Sequence, residues 1–219
     1  WACGAAGKHI AEEGWPIRMP TPQLVLQLEN DQRATPGIRC EGSDDPAVIH
    51  QDGGGCLVGT GTGAPRFALL GDSHARMYTE GVDMLMREHQ DRAIVMARSS
   101  CVPAIGIEPP TRRECRDLTQ ASLDFLVRSD IPLVILAGYW TDLAQDDDRA
   151  RLLAQGLETT IVNLRASGKR IVLLMDIPEL SDDRQAYRAA LHSAREGGNP
   201  IFGQMLDEHI EAQARIYLH

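Results

Sequence analysis

The sequence predicts an α/β fold, specifically a three-layer α/β/α sandwich around a parallel sheet. From residue 66 onward, four short aliphatic runs lack polar alternation, which is typical of strands covered on both faces. These runs are Phe67–Leu70, Ile94–Ala97, Leu133–Ala137 and Ile171–Met175. Between them, apolar residues recur with the period of a helix. Because crossovers between parallel strands are right-handed, this alternating order places helices on both faces of the sheet.

Three helices are expected between the four strands. Their apolar faces are formed by Met77, Val82, Leu85 and Met86, then Leu118, Phe125 and Leu126, then Leu152, Leu153, Leu157, Ile161 and Leu164. The acidic run 146–148 is expected to be a charge cluster at the start of the third helix rather than a metal site. Two further helical stretches, about 183–196 and 203–213, follow the last strand. Residues 214–218 are a candidate fifth strand.

Residues 1–64 are expected to form a loop-rich N-terminal extension ahead of a domain over 65–219. Pro and Gly are scattered through this part, and the one clear periodic segment lies near Leu24–Leu28. The run "GGGCLVGTGTG" lacks the Gly-Lys-Ser/Thr ending of a phosphate loop and does not lie between a predicted strand and helix. A loop tied by a disulfide is therefore favoured over a phosphate site.

Charge and hydropathy argue against two classes of partner. Asp and Glu number 31 against 22 Lys and Arg, which gives a formal charge of -9, and no basic run could follow a phosphate backbone. Nucleic acid is not an expected partner. The longest apolar runs are far shorter than the roughly 20 residues that cross a bilayer. The chain begins at Trp1 without a signal peptide, so a piece of a longer protein is expected.

Five cysteines lie far apart, with no spacing that suggests zinc, so no metal site is expected. Cys40 and Cys56 bracket a segment rich in Gly and Asp, whereas Cys101 and Cys115 bracket one rich in Pro. Both pairs are typical of disulfides that close loops, each stabilising by about 3 kcal/mol. Two disulfides and an oxidising compartment are favoured, with buried free thiols as the alternative. Cys3 is either free or paired with a cysteine outside the sequence.

The turn "FALLGDSHARMY" places Ser73 where the first predicted strand meets its helix. Functional groups of open α/β sheets gather at the carboxyl ends of strands. A serine at this edge can present its Oγ while N–H groups of the following helix stabilise an oxyanion. This is the logic of a nucleophile elbow, although Gly71-Asp72-Ser73-His74-Ala75 differs from Gly-x-Ser-x-Gly. The alternative is that Asp72 or Ser73 only caps the helix.

The string "LLGDSHA" after a strand resembles the first block of the SGNH (GDSL) hydrolases. More closely, the chain resembles the extracytoplasmic SGNH domain fused behind the membrane acyltransferase-3 domain of bacterial O-acyltransferases. The resemblance also rests on "SSCVP" with Cys101 and a later Cys115, on a strand ending in "AGYW", and on an upstream "RC…CLVG" pair. It covers roughly residues 38–178. It implies the SGNH hydrolase fold, with a flavodoxin-like parallel sheet.

Under this resemblance, Ser73 accepts an acyl group as an ester and passes it to a sugar hydroxyl or to water. The N–H of Ser73 supplies one oxyanion donor. The glycine usual after the second strand is replaced by "SSCVPAIG", which leaves Ser100 as a candidate donor. Near Gly138, Trp140 stands where the family has Asn, and its ring cannot replace an amide. Trp140 is therefore a candidate acyl-pocket wall, a sugar platform, or ordinary core.

The resemblance implies a late Asp-x-x-His block that supplies the base, but none of the seven histidines has Asp three residues before it. His74 is expected to shape the pocket rather than act as the base. Asp207-Glu208-His209 lies in a predicted helix, where residues two apart point to different faces. Asp176, at the exit of the fourth strand, is expected to line the pocket. The domain is thus expected to lack its C-terminal segment, which would carry the base and a partner for Cys3.

The resemblance implies an enzyme, an O-acyltransferase or carbohydrate esterase that needs no cofactor. It would lie on the periplasmic or extracellular face of the bacterial membrane, as part of a membrane protein. Its acceptor would be a cell-surface glycan, and a membrane acyltransferase domain would supply the acyl group, expected to be acetyl. The altered oxyanion positions and the missing base favour an alternative, a degenerate glycan-binding or partner domain. A nucleotide-binding domain would need more glycines than "GDSHARM" supplies.

Overall fold

The computed structural model describes residues 40–110, 112–144 and 146–176, together with residues 210, 211 and 214. All of them belong to one compact unit that comprises residues 37–177 and 206–219. Its elements, in chain order, are α1 (Pro46–Asp52), β1 (Cys56–Gly59), β2 (Ala68–Gly71), α2 (Ser73–Met77), α3 (Thr79–Glu88), β3 (Arg92–Ala97), α4 (Cys115–Arg128), β4 (Leu133–Ala137), α5 (Trp140–Leu143), α6 (Asp147–Ala166) and β5 (Arg170–Leu173).

The five described strands form one sheet in the order β1-β3-β2-β4-β5. The four strands predicted from the sequence, β2 to β5, are parallel to their neighbours. The chain runs outward from β2 to β3 and then crosses back over β2 to form β4. The carboxyl ends of β2 and β4 therefore flank the switch point of the sheet, where open α/β folds place their ligands.

Helices cover both faces of the sheet, so the predicted three layers are confirmed. On one face, Leu69 of β2 packs in a cluster with Met86 of α3. On the opposite face, Leu70 packs in a second cluster with Leu126 of α4 and Leu164 of α6. Neighbouring residues of a strand point to opposite faces, which is why β2 reads as an unbroken apolar run rather than an alternating one.

The prediction of a wholly parallel sheet preceded by loops is wrong in two respects. Strand β1, within the glycine-rich run, pairs with β3 in the antiparallel direction, so the sheet is mixed. Helix α1 also lies in the segment expected to be loop-rich. Both ends of α1 have residues that commonly begin and end helices. Asp45 accepts the N–H of Ala47 at 2.9 Å, Pro46 occupies the first position, and Gly53 ends the helix with φ 88°.

Both predicted disulfides are confirmed. Cys40 is bonded to Cys56 with their Cα atoms 5.7 Å apart, and Cys101 is bonded to Cys115 with their Cα atoms 4.9 Å apart. The first bridge joins the segment before α1 to β1, and the second joins the loop after β3 to the start of α4. The alternative of four buried free thiols is thereby excluded.

Several predictions lie outside the described residues. They concern residues 1–39 with Cys3, the helix at 183–196, most of the stretch 203–213, and Asp207-Glu208-His209. The division of the chain at residue 64 stays a prediction as well. Ala214, the first residue of the candidate fifth strand, is helical, and the rest of that segment lies outside the described residues.

Candidate active site

Strand β2 ends at Gly71, where its backbone passes very close to β4. A Cβ atom built on Gly71 would lie 1.7 Å from the carbonyl oxygen of Ala137 and 2.8 Å from the Cβ of Ala75. No other residue type fits there without moving β4 or α2. The glycine of the "GDSHA" string therefore serves the contact between two central strands, which brings the loops after them together.

Asp72 joins these two loops through its buried carboxylate. One oxygen accepts the N–H of His74 at 2.8 Å, and the other accepts the N–H of Tyr139 at 2.8 Å. Asp72 is 2% exposed. Burial raises the pKa of the Asp72 carboxyl above its usual value, although the two N–H groups and His74 oppose this shift. Asp72 is therefore the cap of α2, which the sequence left undecided between Asp72 and Ser73.

Ser73 is the first residue of α2 and is partly exposed. It directly follows the turn at the carboxyl end of β2, the edge where the sequence placed it. Within the described ranges, the Ser73 hydroxyl makes no side-chain hydrogen bond. Because Ser73 is the first residue of α2, no carbonyl of that helix lies four residues earlier to accept its backbone N–H. Its hydroxyl is thus neither buried in the core nor used as the cap.

His74 contacts two residues that come from the ends of other strands. Its Nδ1 lies 2.8 Å from an oxygen of Asp176, just beyond β5, and its ring stacks on Tyr139 with centroids 4.4 Å apart and an angle of 11°. The side chain of Asp176 is 1% exposed, so the carboxylate is buried beside the imidazole. Sequence reasoning placed both residues at this edge but missed their contact, because 102 positions separate them.

A cavity of about 150 Å³ lies against this group. Its lining is mostly apolar, with His74, Tyr78 and Asp176 as the polar side chains, and consists of His74, Met77, Tyr78, Ala137, Gly138, Met175 and Asp176. These residues follow β2, β4 and β5, so the cavity occupies the switch point of the sheet. A cavity of this volume can hold a molecule about the size of benzene, such as a short acyl chain.

Ser100 lies in the loop that follows β3, next to the turn that carries Ser73. The N–H of Arg98 donates to the carbonyl of Gly71 at 2.9 Å, which ties the start of this loop to the end of β2. Ser100 is exposed and has φ 67°, a left-handed conformation unusual for a residue other than glycine. The structure thus brings the Ser100 loop beside the Ser73 turn.

Trp140 is buried completely, with 0% of its surface exposed. Its indole N–H donates to the carbonyl of Leu174 at 2.8 Å, and its ring lies 3.2 Å from where a Cβ on Gly138 would be. The predicted roles of Trp140 as a sugar platform or acyl-pocket wall are therefore wrong, and the core alternative holds. Gly138 does line the cavity, and its missing side chain leaves room for the Trp140 ring.

The acidic run before the long helix has the role expected from its position. Asp146 caps α6 by accepting the N–H of Arg149 at 2.9 Å, and the next two residues lie in the first turn of that helix. Among the residues that the structure describes, no group of His, Cys, Asp and Glu side chains is arranged to hold a metal ion. The helices of this described part include none with the length and hydropathy of a membrane span.

Comparisons with known proteins agree with this architecture. A family model described as an SGNH domain fused to AT3 domains matches residues 39–216. The solved periplasmic domain of the lipopolysaccharide acetyltransferase of Salmonella ser. Paratyphi A is similar, with a TM-score of 0.60, 16% identity, and coverage of 89% of this chain and 75% of that chain. That likeness concerns the fold. No curated protein matches the sequence. Because the family model spans most of the chain, the protein belongs to the family of SGNH domains fused to AT3 domains.

Proposed function

We propose that this domain moves a short acyl group, expected to be acetyl, to or from a hydroxyl of a cell-surface polysaccharide through an ester on Ser73. The observation that carries the proposal is the position of Ser73, partly exposed at the carboxyl end of β2. A small cavity at the same edge of the sheet, lined by the neighbouring His74 and not by Ser73 itself, supports it. Family membership and the acetyltransferase name of the structural neighbour support acyl transfer on the periplasmic side of a membrane.

In the proposed reaction, the Ser73 hydroxyl attacks the carbonyl carbon of the acyl donor. The new bond joins Oγ to the acyl carbon, a general base takes the proton of the hydroxyl and passes it to the leaving group, and the bond between the acyl carbon and the leaving group breaks. An acceptor hydroxyl then attacks the ester and gives its proton to the same base, which passes it to Ser73 Oγ as the bond between Oγ and the acyl carbon breaks. A sugar hydroxyl makes the domain a transferase, whereas water makes it an esterase.

The negative charge on the carbonyl oxygen needs N–H donors during both steps. We assign one donor to the backbone N–H of Ser73 and a second to the loop that carries Ser100. Trp140 takes no part, because its N–H already bonds Leu174 inside the core. His74 is assigned to the cavity wall, since its Nδ1 bonds Asp176 and its ring stacks on Tyr139.

Covalent labelling tests the proposal directly. We expect a sulfonyl fluoride to modify the wild-type protein at Ser73, as mapped by peptide mass spectrometry, and we expect p-nitrophenyl acetate to leave an acetyl adduct there. Ser73→Ala should lose both adducts. Ser167→Ala is a matched control, because Ser167 is also partly exposed but lies ahead of β5, at the opposite edge of the sheet. Labelling that persists in Ser73→Ala would refute the proposal.

A second function is favoured by one observation: Trp140, which stands where the resemblance implies an oxyanion-binding Asn, is buried with its N–H bonded to Leu174. A domain with an incomplete oxyanion hole would bind the glycan, or dock to a membrane acyltransferase domain, without forming the ester. It would show glycan binding that survives Ser73→Ala, together with no adduct on the wild-type protein. The labelling experiment therefore separates the two functions.

A further inference from the structure

The loop 98–101 holds a strained residue outside the cavity described above. Ser100 has φ 67° although it is not glycine, and the N–H of Cys101 closes a turn on the carbonyl of Arg98 at 3.0 Å. The left-handed conformation costs free energy for residues with a side chain. It persists where surrounding contacts enforce it, and such residues cluster at functional sites.

Four hydrogen bonds hold Ser99, the residue before Ser100. Its N–H and its hydroxyl both donate to one oxygen of Glu41, at 3.2 and 3.1 Å. The hydroxyl also accepts from Arg76 at 3.1 Å, and the carbonyl accepts from Arg112 at 2.8 Å. Glu41 forms an ion pair with Arg76 as well. We call Glu41, Arg76 and Arg112 the Ser99 clamp, because together they bind every polar group of that residue.

Both ends of the loop are anchored in the interior. The guanidinium of Arg98, 2% exposed, donates to the carbonyl of Ser43 at 2.5 Å and to the hydroxyl of Ser122 at 3.0 Å. Burial lowers the pKa of Arg98 to about 10, so it remains charged at neutral pH. At the other end, Cys101 is held by its disulfide to Cys115. Because Arg98 and Cys101 fix the two ends of the loop, its backbone conformation can change mainly at Ser99 and Ser100.

The clamp also reaches the turn that carries Ser73. Gly71, the last residue of β2, is paired with Ala97, the last residue of β3. Ser73 and Ser100 each follow one of these paired residues by a few positions, so they lie at the same edge of the sheet. Arg76 lies one helical turn after Ser73 in α2. A single side chain therefore connects the helix of the proposed nucleophile to the strained loop.

We infer that the Ser99 clamp is a positioning device that keeps Ser100 left-handed, so that the backbone N–H of Ser100 meets the oxyanion formed at Ser73. The inference rests on the proposed function. Glu41, Arg76 and Arg112 are positioning residues, since they act on the loop and not on the substrate. The charge of the clamp, rather than a glycine, supplies the conformation of the second oxyanion donor.

The test uses p-nitrophenyl acetate hydrolysis and compares kcat with KM. We expect Glu41→Gln and Arg76→Gln to lower kcat about 10- to 100-fold, because displacement of an oxyanion donor slows the chemical step, with KM within about twofold of wild type. The matched control is Arg87→Gln, which breaks the ion pair with Asp83 within α3, away from Ser99. It should leave both constants unchanged.

Replacement of Ser100 separates positioning from a general loss of structure. Ser100→Ala keeps the N–H and should retain kcat. Ser100→Gly in the Glu41→Gln background should restore kcat at least fivefold, because glycine adopts positive φ without enforcement. Unchanged kcat in both clamp variants would overturn the inference, and so would a loss that Ser100→Gly leaves in place. If the wild-type protein forms no Ser73 adduct, the proposed function fails first and the inference fails with it.

Discussion

Asp72 and Ser73 are neighbours that do different work at the end of β2. Asp72 uses both carboxylate oxygens on backbone N–H groups, one from His74 and one from Tyr139. Because Asp72 is the cap, the Ser73 hydroxyl is not needed to begin α2. This division resolves the alternatives that the sequence left open, since a cap and a candidate nucleophile occupy adjacent positions.

The buried carboxylate of Asp72 makes stability depend on pH. Burial raises its pKa above 3.8, so the folded protein binds this proton more readily than the unfolded chain. The stability contributed by Asp72 therefore increases as the pH falls through its folded-state pKa and decreases above it. Asp72→Asn removes this dependence and one of two N–H acceptors. We expect it to lose about 1 kcal/mol at pH 7.

Urea unfolding at several pH values between 7 and 4 measures this effect. The difference in unfolding free energy between wild type and Asp72→Asn should widen as the pH falls. A difference that stays constant over this range would contradict the raised pKa of Asp72.

The contact between His74 and Asp176 should stabilise the fold as a charge-assisted hydrogen bond. His74→Phe keeps a ring that can stack on Tyr139 but removes the Nδ1 bond of 2.8 Å to Asp176. We expect a loss of about 1.5–3 kcal/mol in unfolding free energy. A double-mutant cycle with Asp176→Asn isolates the pair. Additive losses from the two substitutions would show that the bond contributes nothing.

At the scale of elements, the contact between β2 and β4 depends on the absence of a side chain. Gly71→Ala would place a methyl group 1.7 Å from the carbonyl oxygen of Ala137, which cannot move without disturbing the central strands. We expect a loss of about 3 kcal/mol or more in unfolding free energy, as for severe overpacking.

Gly81→Ala is the matched control for this substitution. Gly81 lies inside α3, and a Cβ there would have no heavy atom within 4 Å. That variant should gain about 0.5–1 kcal/mol, because alanine favours the helix more than glycine does. Equal effects of the two glycine substitutions in thermal unfolding would contradict the importance of the β2–β4 contact.

The strands differ in how clearly the sequence predicts them. Strands β2 to β4 are apolar because both faces are covered, and this pattern is visible in the sequence. The same pattern predicts strand β5, but Val172 is 41% exposed, so the expectation of two covered faces is wrong for β5. Strand β1 has only four residues, follows three glycines and ends at Gly59, and its Leu57 is 58% exposed, so its sequence resembles a loop. Its strand conformation comes from pairing with β3, and pairing is a tertiary contact.

At the scale of the whole molecule, the candidate site is assembled from the ends of four strands. The turn after β2 brings Ser73 and His74, the loop after β3 brings Ser100, the loop after β4 brings Tyr139, and the exit of β5 brings Asp176. The order β3-β2-β4-β5 places these ends side by side at the switch point. A different strand order with the same elements would separate them.

The two disulfides should stabilise the molecule by restricting the unfolded chain. They join residues 16 and 14 positions apart, and each closure is worth about 3 kcal/mol in the chain-entropy model. We expect Cys101→Ser with Cys115→Ser, and likewise Cys40→Ser with Cys56→Ser, to lose about that amount in urea unfolding. In each double variant, added reductant should cause little further loss of unfolding free energy that is attributable to the removed bridge. Wild-type stability that is unchanged by reductant would contradict this role.

The sequence by itself determined the fold class, the four parallel strands, both disulfides and the edge on which Ser73 lies, because these follow from hydropathy period, cysteine spacing and turn residues along the chain. Only the tertiary structure decided that Trp140 is core, that Asp72 joins two loops, and that His74 meets Asp176. These contacts join positions distant in the chain, and burial and pairing depend on strand order, which local patterns do not encode.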